Sequence, residues 1–164
     1  MKMLYIKQKV FSLGGRFSVL DEQENQCWSA KGDIFTIGRR LHVFDENGKE
    51  VALIRRKWLS LRPAYYIQAG KYVYTLSKRI TFFMPCYHLD RVNWTISGDL
   101  FAHNYDITDA HGIISRVYKR WFTLGDRYYL DVRRETEELL SLCVTLAVDC
   151  MKADFSSDLG SDAY

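Results

Sequence analysis

The sequence predicts a mainly β fold, in which a closed antiparallel β-barrel of two related meanders surrounds one buried C-terminal helix. Three observations predict it: a short pattern occurs four times up to residue 130, a longer pattern occurs twice, and one long apolar segment follows them. Short strands at regular spacing favour a barrel or sandwich. A helix that is apolar on all sides must be enclosed by protein or by lipid.

The short pattern consists of a basic residue, four apolar or hydroxyl residues, a three-residue break, and an aromatic residue two positions before an aliphatic one. Its four copies occupy residues 9–19, 57–67, 79–89 and 120–130. Two short β-type runs around such a break are typical of a β-hairpin. Because a repeated unit implies a repeated architecture, we expect four similar hairpins.

The longer pattern divides the chain into two halves. Gly32-Asp33-Ile34-Phe35 recurs as Gly98-Asp99-Leu100-Phe101, and each leads through a polar turn to a copy of the short pattern. Each half is therefore predicted to be a β-meander. Two meanders in one domain favour closure into a barrel, because closure removes exposed strand edges.

Turn signals separate the predicted strands at residues 21–23, 45–48, 69–71 and 109–112. Asn47-Gly48 is the strongest of them and predicts a two-residue type I′ hairpin turn, which needs positive φ at both central residues. This regular spacing indicates that consecutive strands pair with each other in antiparallel order.

A helix is predicted over residues 135–152. Glu135, Glu137 and Glu138 suit its N-terminal dipole, and Lys152 suits its C-terminus. The apolar run 139–148 has ten residues, whereas a bilayer span needs about twenty. A helix inside the barrel therefore fits better than a transmembrane span. Residues 1–153 are expected to form one domain, and the Ser-, Asp- and Gly-rich segment 154–164 a disordered acidic tail.

Composition restricts the cellular setting only broadly. The 164-residue chain has a formal net charge of +3, which permits contact with anionic partners without demanding it. Its four cysteines form no C-x-x-C pair, and the N-terminus has no signal-peptide apolar region. We therefore expect reduced thiols in a cytoplasmic protein that is at most peripheral to a membrane.

The order of these motifs resembles the LURP-one-related (LOR) family. The residues that carry the resemblance are the Lys/Arg-Trp-Phe/Leu-Ser/Thr-Leu unit at 57–61 and 120–124, the two Gly-Asp-Ile/Leu-Phe segments, the opening Tyr5–Ser12, and the helix Glu138–Asp149. The resemblance covers residues 3–152 and implies a tubby-like, twelve-stranded barrel around a central helix. Related tubby and phospholipid-scramblase proteins are linked to phosphoinositides and membranes. The family offers no established catalytic residues to carry over.

Basic residues that precede or begin the repeated units are the candidate ligand-binding residues. They are Arg56, Lys57, Lys78, Arg79, Lys119 and Arg120. Equivalent strand ends in a barrel could gather them into a patch for anionic phospholipid or phosphoinositide head groups, each cation contributing about 1 kcal/mol near an anionic surface. The plainer interpretation is that solvated cations protect strand edges. The leading hypothesis is a non-enzymatic binding module. The alternatives are a soluble scaffold for an unknown protein partner and an enzyme of undetected type.

Other chemistries find little support in the sequence. His103, Asp106, Asp109 and His111 lie close in the chain and suit a metal, but the last two fall in a predicted hairpin turn. No P-loop, dinucleotide fingerprint or nucleophile elbow is present. Trp58 and Trp121 occupy matching repeat positions, which predicts a core role rather than base stacking. We therefore expect no metal, no cofactor and no nucleic-acid partner.

Overall fold

The computed structural model describes residues 1–8, 15–33, 39–58, 64–79, 86–119 and 127–161, with the backbone alone from residue 155 onward. Over these ranges twelve strands are followed by a short 3-10 helix, Glu135–Glu137, and one α-helix, α1. The strands and α1 are β1 Lys2–Gln8, β2 Arg16–Leu20, β3 Gln26–Gly32, β4 Arg40–Asp45, β5 Glu50–Arg56, β6 Ala64–Ala69, β7 Tyr72–Arg79, β8 Cys86–Leu89, β9 Trp94–Asp99, β10 Asn104–Asp109, β11 Gly112–Tyr118, β12 Arg127–Val132 and α1 Glu138–Ser161.

The strands form a closed antiparallel barrel in which each pairs with its neighbours in the chain. The barrel closes where β1 pairs with β12, from Lys2 opposite Val132 to Lys7 opposite Arg127. Successive side chains of a strand point to opposite faces, so Leu4 and Ile6 of β1 lie fully buried. The predicted closed barrel is confirmed.

The two predicted halves correspond to β1–β6 and β7–β12. The aromatic-x-aliphatic part of the four copies lies in β2, β6, β8 and β12. Its first and third residues face inward, as Tyr65 and Ile67 do in β6 and Tyr128 and Leu130 in β12. The breaks of all four copies fall outside the described residues, so the hairpins within them remain predictions. Because β6 and β12 are six strands apart in a ring of twelve, they lie on opposite sides of the barrel.

Helix α1 fills the barrel. Every residue from Leu140 to Met151 is buried, including Ser141 and Thr145. The Thr145 hydroxyl donates to the Ser141 carbonyl at 2.8 Å, so its polar group is satisfied within the helix. The predicted buried helix is confirmed. No helix in the described part of the chain is both long enough and apolar enough to cross a bilayer.

The helix extends further than its pattern indicates. It ends at Ser161, whereas the sequence predicts an end at residue 152. Asp154 lies in this extension, and its carboxylate accepts hydrogen bonds from Tyr65 of β6 and from Arg39 before β4. These contacts attach the backbone beyond residue 152 to the barrel.

The predicted type I′ turn at Asn47-Gly48 is wrong. Gly48 has a φ of 76°, but Asn47 is not among the residues with positive φ. The Asp45 side chain accepts hydrogen bonds from the backbone N–H groups of Asn47 and Lys49, and the Gly48 N–H donates to the Asp45 carbonyl. An aspartate side chain at the start of the turn thus favours a longer loop with one left-handed glycine.

Position 98 in β9 requires glycine for conformational and steric reasons. Its φ is 131°, and a Cβ atom there would lie 2.6 Å from the Asn104 carbonyl oxygen and 2.7 Å from Tyr105 Cα. Only glycine allows β9 and β10 to approach this closely. In the second half, the repeated Gly-Asp segment therefore marks a place where two paired strands approach each other closely.

Candidate functional site

The barrel has two distinct ends. The lower rim comprises the turns that follow even-numbered strands, together with the start of α1, where the Glu138 carboxylate binds Lys2 at 3.0 Å and Trp28 Nε1 at 2.8 Å. The upper rim comprises the ends of odd-numbered strands, the starts of even-numbered strands and the connections between them. The C-terminal half of α1 reaches the upper rim, where Lys152 Nζ donates to the Phe101 carbonyl at 2.7 Å.

A buried polar cluster lies where α1 leaves the barrel at the upper rim. The Asp149 carboxylate accepts a hydrogen bond from the Tyr128 hydroxyl, and its other oxygen lies 2.7 Å from His103 Nε2. The His103 ring stacks on the Tyr128 ring with 4.2 Å between centroids. Lys152 Nζ lies 3.2 Å from His103 Nδ1 and 3.4 Å from Nε2. A histidine, an aspartate and a tyrosine thus form one chain of hydrogen bonds, and Lys152 contacts the histidine ring.

The direction of these hydrogen bonds follows from the groups themselves. A carboxylate only accepts, so Nε2 of His103 carries the hydrogen. The Lys152 ammonium is nearly equidistant from the two ring nitrogens and therefore lies over the face of the imidazole. Burial and the facing Asp149 carboxylate raise the pKa of Tyr128 well above its usual value, so its hydroxyl keeps its proton. His103 has a φ of 53°, a left-handed conformation that costs about 1 kcal/mol in a residue with a Cβ. The contacts of its ring hold it there.

A second polar anchor lies on the other side of the helix. The Asp154 carboxylate accepts from the Tyr65 hydroxyl and from Arg39 Nε at 2.9 Å, and Arg56 lies 3.5 Å away. Burial, followed by the hydrogen bond to Asp154, raises the pKa of Tyr65 far above its usual value. Tyr65 and Tyr128 occupy the same position in two copies of the repeat. The two halves of the barrel therefore hold the helix through equivalent tyrosines and two different aspartates.

A pocket of about 260 Å³ opens at the upper rim beside the first cluster. It lies between β1, the β9–β10 connection, the end of β11 and the start of β12. Its lining combines two lysines and a histidine with aromatic and small side chains. The lining residues are Gln8, Phe101, Ala102, His103, Lys119, Tyr128 and Lys152.

Five of the six predicted binding residues lie at different positions on the upper rim. The sixth, Arg120, lies outside the described residues. Arg56 points inward to Asp154, and Lys57 lies 5.5 Å from the Tyr66 ring centroid on the outer face. Lys78 and Arg79 are exposed at the end of β7. Lys119 follows β11, on the far side of the barrel from β5. The structure thus places these cations on one rim but not in one compact patch.

Two large apolar side chains are exposed on the same rim. Trp58, just after β5, is 57% exposed, and Phe101, between β9 and β10, is 58% exposed. The predicted core role of Trp58 is therefore wrong. Strand β5 ends at Arg56, two residues before Trp58, so Trp58 is not held in the strand's alternation of inward and outward side chains. Trp121 lies outside the described residues.

The four residues considered for a metal site are separated by the fold. Arg116 binds Asp106 at 2.6 Å, while Asp109 lies on the lower rim and binds Arg134 at 2.7 Å. Hydrogen bonding to these guanidinium groups lowers the pKa of Asp106 and lowers that of Asp109 to about 2. Across the described ranges, no group of three or more His, Cys, Asp or Glu side chains is arranged to hold a metal.

The buried thiols of α1 are unsuited to nucleophilic chemistry. Cys143 and Cys150 are buried in the barrel, and burial raises the pKa of each thiol to about 12. Both remain protonated at neutral pH, and only a thiolate is a good nucleophile.

Sequence reasoning missed the two helix anchors, although two signals point to them. Asp149 and Asp154 interrupt or follow the apolar run of the helix, and each needs a donor once the helix is enclosed. Tyr65 and Tyr128 are hydroxyl-bearing residues at equivalent, inward-facing repeat positions. Pairing the carboxylates of the helix with the hydroxyls of the repeat would have predicted both anchors.

Together, the closed twelve-stranded barrel, the enclosed C-terminal helix and the polar contacts that fasten it define a class of helix-filled β-barrel domains. Comparison with known proteins narrows this class. The sequence model described as LURP-one-related matches residues 2–149, so the chain belongs to the LURP-one-related family.

Two further comparisons describe what the chain is similar to. The chain is 33% identical over 147 residues to the uncharacterized protein YxjI of Bacillus subtilis (strain 168), covering 89% of this chain and 91% of that protein. It also resembles an X-ray structure of a protein from Arabidopsis thaliana with a TM-score of 0.62, covering 90% of each chain. At 12% identity, the plant structure supports the fold alone.

Proposed function

We propose that this protein is a non-enzymatic binding module that docks its upper rim on an anionic phospholipid surface. The observation that carries the proposal is the presence of exposed cations and exposed aromatic side chains on the same rim. Head groups that bear phosphate, including phosphoinositides, would meet the cations, and the aromatic rings would enter the interface between head groups and acyl chains.

The distribution of charge supports this orientation. The described carboxylates of the upper rim are Asp33, Asp99, Asp149 and Asp154, and the last two are occupied by the helix anchors. The cations of that rim include Arg39, Arg40, Arg55, Arg56, Lys57, Lys78, Arg79, Lys119 and Lys152. The turns of the lower rim mix acids with cations: they contain Asp21, Glu22, Glu46 and Asp90 together with Lys49, Lys71 and Arg91. An anionic surface would therefore attract the upper rim more strongly than the lower rim.

The aromatic side chains supply the apolar part of the contact. Tryptophan is enriched at membrane interfaces because its ring is apolar and its N–H is polar. Trp58 follows β5 and Phe101 lies in the β9–β10 connection, so the two side chains stand on different sides of the rim. Two separated apolar contacts on a charged rim would fix the tilt of the barrel on a membrane.

Co-sedimentation with vesicles tests the proposal. Neutral phosphatidylcholine vesicles are compared with vesicles that also contain phosphatidylglycerol or a phosphoinositide, at low and moderate salt. We expect salt-sensitive binding to the anionic vesicles alone. Lys78→Glu/Arg79→Glu should weaken it at least about 30-fold, because two cations near the surface contribute about 2 kcal/mol.

A matched variant on the lower rim, Lys49→Glu/Lys71→Glu, changes the net charge equally and should bind almost as well as the wild type. Trp58→Ala should also weaken binding, whereas Tyr72→Ala, which removes a 43% exposed aromatic from the lower rim, should not. If neither type of vesicle binds, the proposal fails and a scaffold for a protein partner becomes the better hypothesis. Equal losses in the upper-rim and lower-rim variants would show that only net charge matters.

A further inference from the structure

The barrel wall holds the carboxylate of Asp154 with three side chains that lie side by side on neighbouring strands. They are Arg39 just before β4, Arg56 at the end of β5 and Tyr65 in β6. The Arg56 N–H donates to the Arg39 carbonyl at 3.1 Å, and Arg56 is paired with Tyr65. Because strand pairing fixes these positions, the two guanidinium groups and the hydroxyl are arranged to hold an anion without any contribution from the helix.

This anchor is more open to solvent than the Asp149 anchor. The side chains of Asp149 and Tyr128 are buried in the barrel. The side chains of Arg39 and Arg56, in contrast, are 34% and 35% exposed. A negatively charged surface at the upper rim can therefore reach the guanidinium groups that hold Asp154, whereas the Asp149 anchor is shielded from it.

The charge at the Asp154 anchor is not balanced, because one carboxylate faces two guanidinium groups. The connections 34–38 and 59–63 adjoin this anchor in the chain and lie outside the described residues. Their sequences contain no acidic residue and one further arginine, Arg62, so they add no competing carboxylate. The anchor therefore keeps a positive charge with Asp154 in place, and an anionic surface would attract it.

The part of α1 that carries Asp154 has little helical tendency of its own. The extension, residues 153–161, contains serine, aspartate and glycine, which are weaker helix formers than alanine or leucine. Asp158 lies in the last turn, where the helix dipole disfavours a negative charge, and the extension has no basic residue. Contacts with the barrel, including those of Asp154, therefore help to hold the extension in its helical form.

We propose that Asp154 is a latch that restrains membrane docking, because it occupies Arg39 and Arg56 until an anionic phospholipid surface displaces it. The inference rests on the proposed function, since the surface is the one on which the upper rim docks. When the latch opens, both arginines face the surface and the acidic extension moves away from it. A negative surface thus interacts more favourably with the open state and shifts the latch toward opening.

Co-sedimentation with phosphatidylglycerol vesicles tests the latch through Asp154→Asn. The matched control is Asp33→Asn, which removes one carboxylate from the same rim. Asp33 lies 3.3 Å from His42 Nε2, so it belongs to a different contact. The control should bind at most about fivefold more tightly than the wild type, as one charge near the surface allows. Asp154→Asn should gain at least a further fivefold, because it also frees the two arginines.

Hydrogen exchange followed by mass spectrometry observes the latch in the wild type and needs no substitution. We expect the backbone amides of residues 155–161 to exchange slowly in the free protein and faster on phosphatidylglycerol vesicles. Neutral phosphatidylcholine vesicles should not change their exchange. In Asp154→Asn these amides should exchange rapidly without vesicles. The enclosed residues 140–151 are the internal reference and should exchange slowly throughout.

The outcomes separate the latch from the docking itself. Equal gains in Asp154→Asn and Asp33→Asn would overturn the latch and leave docking in place, since rim charge alone would then explain both. Slow exchange of residues 155–161 in vesicle-bound wild type would overturn the latch in the same way. If neither the wild type nor Asp154→Asn binds anionic vesicles, docking fails and its restraint by Asp154 fails with it.

Discussion

Replacing Tyr128 by phenylalanine tests whether the polar cluster fastens the helix inside the barrel. The substitution removes one hydroxyl group, and that hydroxyl donates to the carboxylate of Asp149, which is only 8% exposed. A hydrogen bond to a charged group contributes about 1.5–3 kcal/mol. His103 still binds the other carboxylate oxygen at 2.7 Å, so we expect a loss of about 2 kcal/mol in the free energy of unfolding.

Urea unfolding followed by far-ultraviolet circular dichroism measures this loss. For a domain of this size, about 2 kcal/mol corresponds to a fall in Tm of roughly 4–8 °C. Tyr66→Phe is the matched control, because Tyr66 faces outward beside Arg55, whose guanidinium carbon lies 4.8 Å from its ring centroid. Its removal of a hydroxyl should change stability by less than about 0.5 kcal/mol.

Tyr65→Phe should resemble Tyr128→Phe rather than Tyr66→Phe, because Tyr65 donates to Asp154 from the opposite side of the barrel. Equal stabilities of Tyr128→Phe and Tyr66→Phe would refute the reasoning. They would mean that water satisfies Asp149 as well as the tyrosine does.

Two further predictions concern the core and the lower rim. Leu146→Asp should abolish cooperative folding, because Leu146 is fully buried and a carboxylate there has no hydrogen-bond donor. The control Val73→Asp, at a 42% exposed position, should fold normally. A cooperative, soluble Leu146→Asp protein would show that the helix is not enclosed. The pKa of Asp109 is lowered to about 2 by the hydrogen bond from Arg134, so its contribution to stability is complete above the unfolded value near 3.8 and is lost as the pH falls through about 2. Asp109→Asn should therefore lose less stability than the wild type between pH 4 and pH 2 in acid-unfolding measurements, and parallel curves for the two proteins would contradict this.

The barrel could be predicted because its signals are local and repeated. The first and third residues of each aromatic-x-aliphatic segment, such as Tyr65 and Ile67, alternate with outward residues, as a half-buried strand requires. The helix could be predicted because Leu139 to Val148 offers no polar face. The extent of the helix could not, since Asp154 looks like part of a polar tail until Tyr65 and Arg39 are seen to bind it.

The candidate site was less predictable than the fold. The basic residues were found from the repeat, but their arrangement around the rim depends on strand order, which places β11 far from β5. Trp58 was expected in the core because it shares a repeat position with Trp121, yet it is exposed. A sequence repeat shows which residues are equivalent along the chain. Whether such a residue is buried near a strand end also depends on where the strand ends.

The sequence by itself determined the class of fold, the two-fold repetition and the enclosure of the helix. These features follow from hydrophobic periodicity and segment length, which are properties of short stretches of sequence. Only the tertiary structure decided which polar groups meet. Asp149 joins His103 and Tyr128, and Asp154 joins Tyr65, across separations of 21 to 89 residues in the chain. Those partners meet only once the strands close around the helix, because side-chain packing in the closed barrel fixes how the helix is seated.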